Sequence, residues 1–144
     1  MSNDRSAPLA ARVLGFSGLI PFWGLALAPL FGVNPPWVQQ ALMAYAAVIL
    51  SFVGALHWGV AATVRPQRPW RVFGWSVIPA LLAWVALLLP FRDALMLLTL
   101  GFATAMLVDQ RLYVDSAAAP WLVPMRTVIT VLVLVALFVA QLSA

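Results

Sequence analysis

The chain has no cysteine, no lysine and no glutamate, and it holds a single histidine, His57, among its 144 residues. Without cysteine it can form neither a disulfide nor a thiolate metal site. One histidine and the aspartates Asp4, Asp93, Asp109 and Asp115 make too small a ligand set for a closed metal site within one chain, so no metal and no cofactor are expected. The missing lysine and glutamate reflect the codon bias of a GC-rich genome; no chemistry is read into them. Charge as a whole is scarce, 8% of residues against 65% hydrophobic. A soluble chain of this length needs a polar exterior that such a composition cannot supply, so most of the surface is expected to face lipid.

What is present is a series of apolar segments near 13–31, 38–64, 72–90, 94–113 and 121–142. Each is long enough to cross about 30 Å of hydrocarbon at about 1.5 Å per residue. Turn-forming residues separate them: Gly32-Val33-Asn34-Pro35-Pro36, Arg65-Pro66-Gln67-Arg68-Pro69, Pro90-Phe91-Arg92-Asp93, and Asp115 through Pro120. Short loops force each helix to run antiparallel to its sequence neighbour. The expected fold is an all-α integral membrane protein, a single up-and-down bundle of five transmembrane helices occupying residues 1–144 as one domain. No internal repeat is visible, and an odd helix count argues against paired inverted repeats. The first segment also resembles a secretory signal, with Arg5 and Arg12 ahead of an apolar stretch ending in Ala26-Leu27-Ala28. Pro29 would follow that cleavage site directly, and the stretch is long for a signal, so it is expected to be a retained helix.

Charge sets the orientation. With a cytoplasmic N-terminus, that side holds Arg5, Arg12, Arg65, Arg68, Arg71 and Arg111, with Arg126 slightly further in, while the other side holds only Arg92 beside Asp93. The C-terminus is then outside. The sequence pI of about 11.2 becomes a topology signal. Arginines spread among loops facing anionic headgroups do not form a nucleic-acid surface, and no nucleic acid is expected as a partner. Trp37, Trp70 and Trp121 stand where segments begin, as interfacial anchors do.

Within the second segment Ala47, Ser51, Ala55 and Gly59 recur every four residues, with Gly54 beside them. Small residues at that spacing predict a face along which another helix approaches closely. Pro21 and Pro79 predict kinks, since each lacks the N–H that the carbonyl of Ser17 or of Trp75 would otherwise receive. Such a carbonyl either binds a partner or is healed by neighbouring side chains.

Counting inward from the cytoplasmic ends places His57, Trp75, Asp109 and Arg126 within about 10 Å of the helix termini, in one layer of the bundle. The fourth and fifth segments share one short loop, so Asp109 and Arg126 can meet. A lone charge in hydrocarbon costs a few kcal/mol or more, which favours an Asp109–Arg126 pair or a hydrated pocket over two lipid-facing ions. The pair is then a helix clamp with His57 a hydrogen-bonded packing residue, or His57 is a proton carrier or ligand-binding group beside an ionic pocket.

The segments Leu14-Gly15-Phe16-Ser17-Gly18-Leu19-Ile20-Pro21-Phe22, Ser51-Phe52-Val53-Gly54-Ala55-Leu56-His57-Trp58-Gly59 and Trp75-Ser76-Val77-Ile78-Pro79, with Asp109 and the later Trp121 and Arg126, are similar to the membrane family called domain of unknown function 3429. The resemblance covers nearly the whole chain, and its most specific part is the stretch from Ser51 to Gly59. It implies a bacterial cytoplasmic (inner) membrane protein from a lineage related to the mitochondrial ancestor, and it implies no activity or catalytic residue.

Three classes of function follow. An accessory or assembly protein, binding the lipid bilayer, other membrane proteins or its own copies through helix faces, fits the small-residue stripe and the lack of a soluble domain. A small proton-linked transporter or channel fits the intramembrane His57, Asp109 and Arg126 with two proline-broken helices. An enzyme fits least: Ser51 and His57 lie about 120° apart around one helix, and no paired acids or metal motif offer a catalytic centre.

Overall fold

The computed structural model describes residues 7–63, 69–113 and 121–143, and all regular structure in them is helical. Arg5, Arg65, Gln67, Arg68, Asp115 and Pro120, and with them the loops expected around 65–69 and 115–120, lie outside or at the edge of the described residues. The elements are α1 (Leu9–Ser17), α2 (Leu19–Leu27), a 3-10 turn (Ala28–Phe31), α3 (Pro36–Thr63), α4 (Pro69–Ala86), α5 (Phe91–Tyr113) and α6 (Leu122–Leu142).

The first rod starts earlier than the sequence predicts and is divided. It begins at Leu9, with the Arg12 amide donating to the Pro8 carbonyl at 3.1 Å. It breaks at Gly18, because Pro21 has no N–H to continue the ladder to Ser17. Two side chains reinforce the break: the Ser17 hydroxyl donates back to the Leu14 carbonyl at 2.9 Å, and the Tyr45 hydroxyl on α3 donates to the Gly18 carbonyl at 2.9 Å. The rod ends at Gly32, which takes the left-handed backbone (φ 78°) that a residue without Cβ adopts freely.

Both α3 and α4 open on proline, where the absent N–H removes no hydrogen bond. That is why α4 starts at Pro69 and not near 72. It stops at Ala86, and tight turns carry Leu87 to Leu89, since Pro90 disfavours helical backbone in the residue before it. Phe91, Arg92 and Asp93, expected in a loop, form the first turn of α5, where the Asp93 carboxylate faces the positive end of the helix dipole.

Among the described residues four helical segments are long and apolar enough to cross a membrane: Leu9–Phe31, Pro36–Gly59, Phe91–Arg111 and Leu122–Leu142. The fifth rod, α4, is 18 residues long and carries Arg71; it is not among those four segments.

The middle of the bundle is α3 and α5: α3 packs on α2, α4 and α5, and α5 packs on α3, α4 and α6, while α2 closes against α6. Phe22 of α2 sits at the centre, its ring edge-on to Tyr45 at 5.1 Å and to Phe102 at 6.0 Å. Leu50, Leu95, Leu98 and Leu137 belong to the same buried core. At Gly54 the backbones of α3 and α4 nearly touch, for a Cβ there would stand 2.7 Å from the Ser76 carbonyl oxygen and 3.0 Å from the Pro79 Cβ. Glycine is required at that contact.

Candidate functional site

The inner faces of three helices deliver three polar side chains to one point. On α3, buried Leu50 and Gly54 precede His57 at helical spacing; on α5, Phe102 and Ala105 precede Asp109; on α6, Arg126 precedes Thr130 and Val133. Each polar residue thus continues an apolar stripe that packing already holds toward the core.

The Nε of Arg126 donates to Asp109 Oδ2 at 2.8 Å, and its Nη2 lies 2.6 Å from the same oxygen. His57 Nε2 lies 2.8 Å from the other carboxylate oxygen, Oδ1. His57 is 1% exposed and Asp109 3%. The carboxylate is therefore shared between a guanidinium from α6 and an imidazole from α3. In surroundings this apolar, the opposite formal charges of Asp109 and Arg126 compensate each other, where either alone would carry a penalty of several kcal/mol.

Trp75 does not join the ionic contacts. Its indole Nε1 is enclosed with no hydrogen-bond partner among the described residues. The buried neighbour Ser76 turns its hydroxyl to the Phe73 carbonyl, 2.5 Å away. Pro79, expected to kink α4, lies inside the helix and is buried against Gly54, so it serves the α3–α4 contact.

The stripe at Ala47, Ser51, Ala55 and Gly59 is not one continuous internal seam. Ala47 is buried, Ser51 is half-buried with its hydroxyl on the Ala47 carbonyl at 2.9 Å, and Ala55 and Gly59 are exposed. A four-residue step advances about 400° around an α-helix, so three steps carry the stripe about 120° away from its starting face. The close contact falls instead on Gly54.

A cleft of about 190 Å³ lies between α1–α2, α3 and α6, walled by Leu14, Gly18, Phe52, Leu56 and Met125 with Arg126 among them. Its lining is overwhelmingly apolar. Thr130, which lines this cleft, and Tyr45 and Ser76, which bond to the carbonyls of Gly18 and Phe73, were given no role from the sequence. Tyr45 had one weak signal, an aromatic hydroxyl in an apolar helix that must find an acceptor. Among the described residues no third histidine or carboxylate joins His57 and Asp109.

Apolar helices around a charge-compensated buried cluster define a polytopic, all-helical membrane protein. The chain belongs to the family described as Protein of unknown function (DUF3429), whose profile matches residues 7–142. It is also similar to Transmembrane protein 69 of Xenopus tropicalis, at 40% identity over 141 residues, covering 88% of this chain and 51% of the relative. The chain spans about half the length of that curated relative. No solved structure matches it.

Proposed function

We propose that the protein is an accessory or assembly component of a bacterial inner membrane, a five-span bundle with its N-terminus in the cytoplasm and its C-terminus outside, which binds lipids or other membrane proteins through its helix faces and is not an enzyme. One observation carries the reading: the buried polar groups are engaged with each other across three helices, His57 beside one carboxylate oxygen of Asp109 and Arg126 on the other. Groups so committed hold α3, α5 and α6 together. The arginine asymmetry between loops supports the orientation. Against catalysis stands the Ser51 hydroxyl, which donates within its own helix to Ala47 and not toward a base.

The cleft that reaches Arg126 favours a second reading, a small proton-linked transporter or channel using His57, Asp109 and Arg126. Its apolar wall suits a hydrocarbon chain better than an aqueous path. Reconstitution into liposomes separates the two. The accessory role expects no proton or small-solute flux above empty vesicles, together with reproducible co-purification of specific lipids or a specific membrane protein. Flux that disappears in His57→Gln while the protein stays folded would replace it with transport.

A further inference from the structure

Three features of the cleft beside Arg126 belong together. First, its outer wall is loosely held: α1 buries none of its residues in the bundle and, among the described residues, packs mainly on α2 and α6, beyond the break at Gly18. Second, its interior suits hydrocarbon. Apolar side chains enclose about 190 Å³, and an aliphatic-lined cavity of about 150 Å³ already holds a benzene-sized group, so one stretch of an acyl chain fits. Third, the cleft has a cationic end. A guanidinium carries five N–H donors, and Asp109 engages only the Nε and Nη2 groups of Arg126, leaving Nη1 available to a further acceptor.

The depth of that end fits a phospholipid. Arg126 stands five residues past Trp121, about 7–8 Å inside the start of α6, at the level where ester carbonyls meet acyl chains. Exposed Arg12 lies three residues before the cleft-lining Gly15, on the same face of α1 and about one turn closer to the headgroups. Gly15 is pressed against α6, where a Cβ would meet Ile129 Cδ1 at 3.1 Å, and the three-residue spacing puts Arg12 on the side of α1 that Gly15 turns toward α6.

We propose that this cleft is a lateral binding site for an anionic phospholipid, with one acyl chain between α1–α2, α3 and α6, an ester carbonyl accepting from Arg126, and the phosphate facing Arg12. The formally neutral Asp109–Arg126 pair accepts an uncharged carbonyl, while Arg12 supplies the preference for negative charge. The inference rests on the accessory reading and names one of its partners.

The test uses the cysteine-free chain. A fluorophore on Leu56→Cys reports from the cleft wall, and one on Val77→Cys reports from the outward face of α4 at a matched level, since its neighbour Ser76 lies against Gly54. Each is reconstituted in phosphatidylcholine containing equal mole fractions of acyl-brominated phosphatidylglycerol or acyl-brominated phosphatidylcholine. At Leu56 the anionic quencher is expected to be enriched about five-fold, the effect of one arginine near a membrane surface, with no such preference at Val77. Arg12→Gln, an exposed change that leaves the bundle intact, is expected to bring the ratio at Leu56 close to one. Equal quenching by the two lipids at Leu56, an identical preference at Val77, or a preference unchanged by Arg12→Gln would each overturn the site. Should it fall while a specific membrane protein still co-purifies, the accessory role stands without it; solute flux in the same vesicles would instead remove the accessory role.

Discussion

Arg126 approaches Asp109 through a single carboxylate oxygen, Nε at 2.8 Å and Nη2 at 2.6 Å from Oδ2, which leaves Oδ1 facing His57. The carboxylate is thus the hub between α3 and α6, and its loss removes two helix contacts at once.

Asp109→Ala is expected to be the most damaging single change in the cluster, on the order of 3–5 kcal/mol, because it strands the Arg126 charge in the bundle. The double variant Asp109→Ala/Arg126→Ala is expected to lose less than the sum of the two single losses. Thermal unfolding in detergent of all three proteins checks this, and strictly additive losses would show that the two side chains do not interact.

The two glycines at Gly54 and Gly59, five residues apart on α3, are expected to respond oppositely to alanine. A Cβ at Gly54 collides with the Ser76 carbonyl, and Gly54→Ala should destabilise by about 1–3 kcal/mol. At Gly59 a Cβ meets nothing within 4 Å, so Gly59→Ala should be neutral or stabilising by up to about 1 kcal/mol through helix propensity. Melting temperatures of the pair measured side by side decide it; equal losses would mean that the α3–α4 contact is not where Gly54 places it.

Tyr45→Phe removes the hydroxyl that caps the Gly18 carbonyl but keeps the ring against Phe22. Its expected loss is modest, about 0.5–1.5 kcal/mol. Faster hydrogen exchange should be confined to the amides around the α1–α2 break, and exchange unchanged there would remove the role assigned to Tyr45.

Topology is checked with single cysteines. Val33→Cys, in the exposed turn after the first rod, should be labelled by an impermeant reagent from outside intact cells, and Gln67→Cys should be protected. The reverse pattern would invert the bundle.

Much of this organisation was legible in the chain itself. Apolar length and loop punctuation gave the helical rods, and the cost of unpaired charge in lipid brought Asp109 to Arg126. What escaped depends on rotation and on contact between distant segments. A four-residue repeat was expected to keep one face, yet Ala55 and Gly59 turn outward, and it is Gly54 that meets a neighbour whose position no local pattern reveals. Helix ends moved for local reasons, since Pro69 could begin a helix as readily as punctuate a loop. Trp75 was expected in the layer of the charged cluster on depth alone, and depth does not specify a hydrogen-bond partner: its Nε1 is buried without one among the described residues.

The backbone contact of Gly54 with Ser76 and Pro79 also bears on how the chain enters the bilayer during synthesis. Of the five rods, α4 is the one outside the four crossing segments, and it follows α3 in the chain, with which it makes its tightest seam. On the five-span reading, α4 then crosses as half of a helical hairpin, with α3 covering Ser76 and Pro79. On that reading, a bulky residue at position 54 would pry the hairpin apart at its seam as α4 enters the bilayer, before it disturbed the finished bundle.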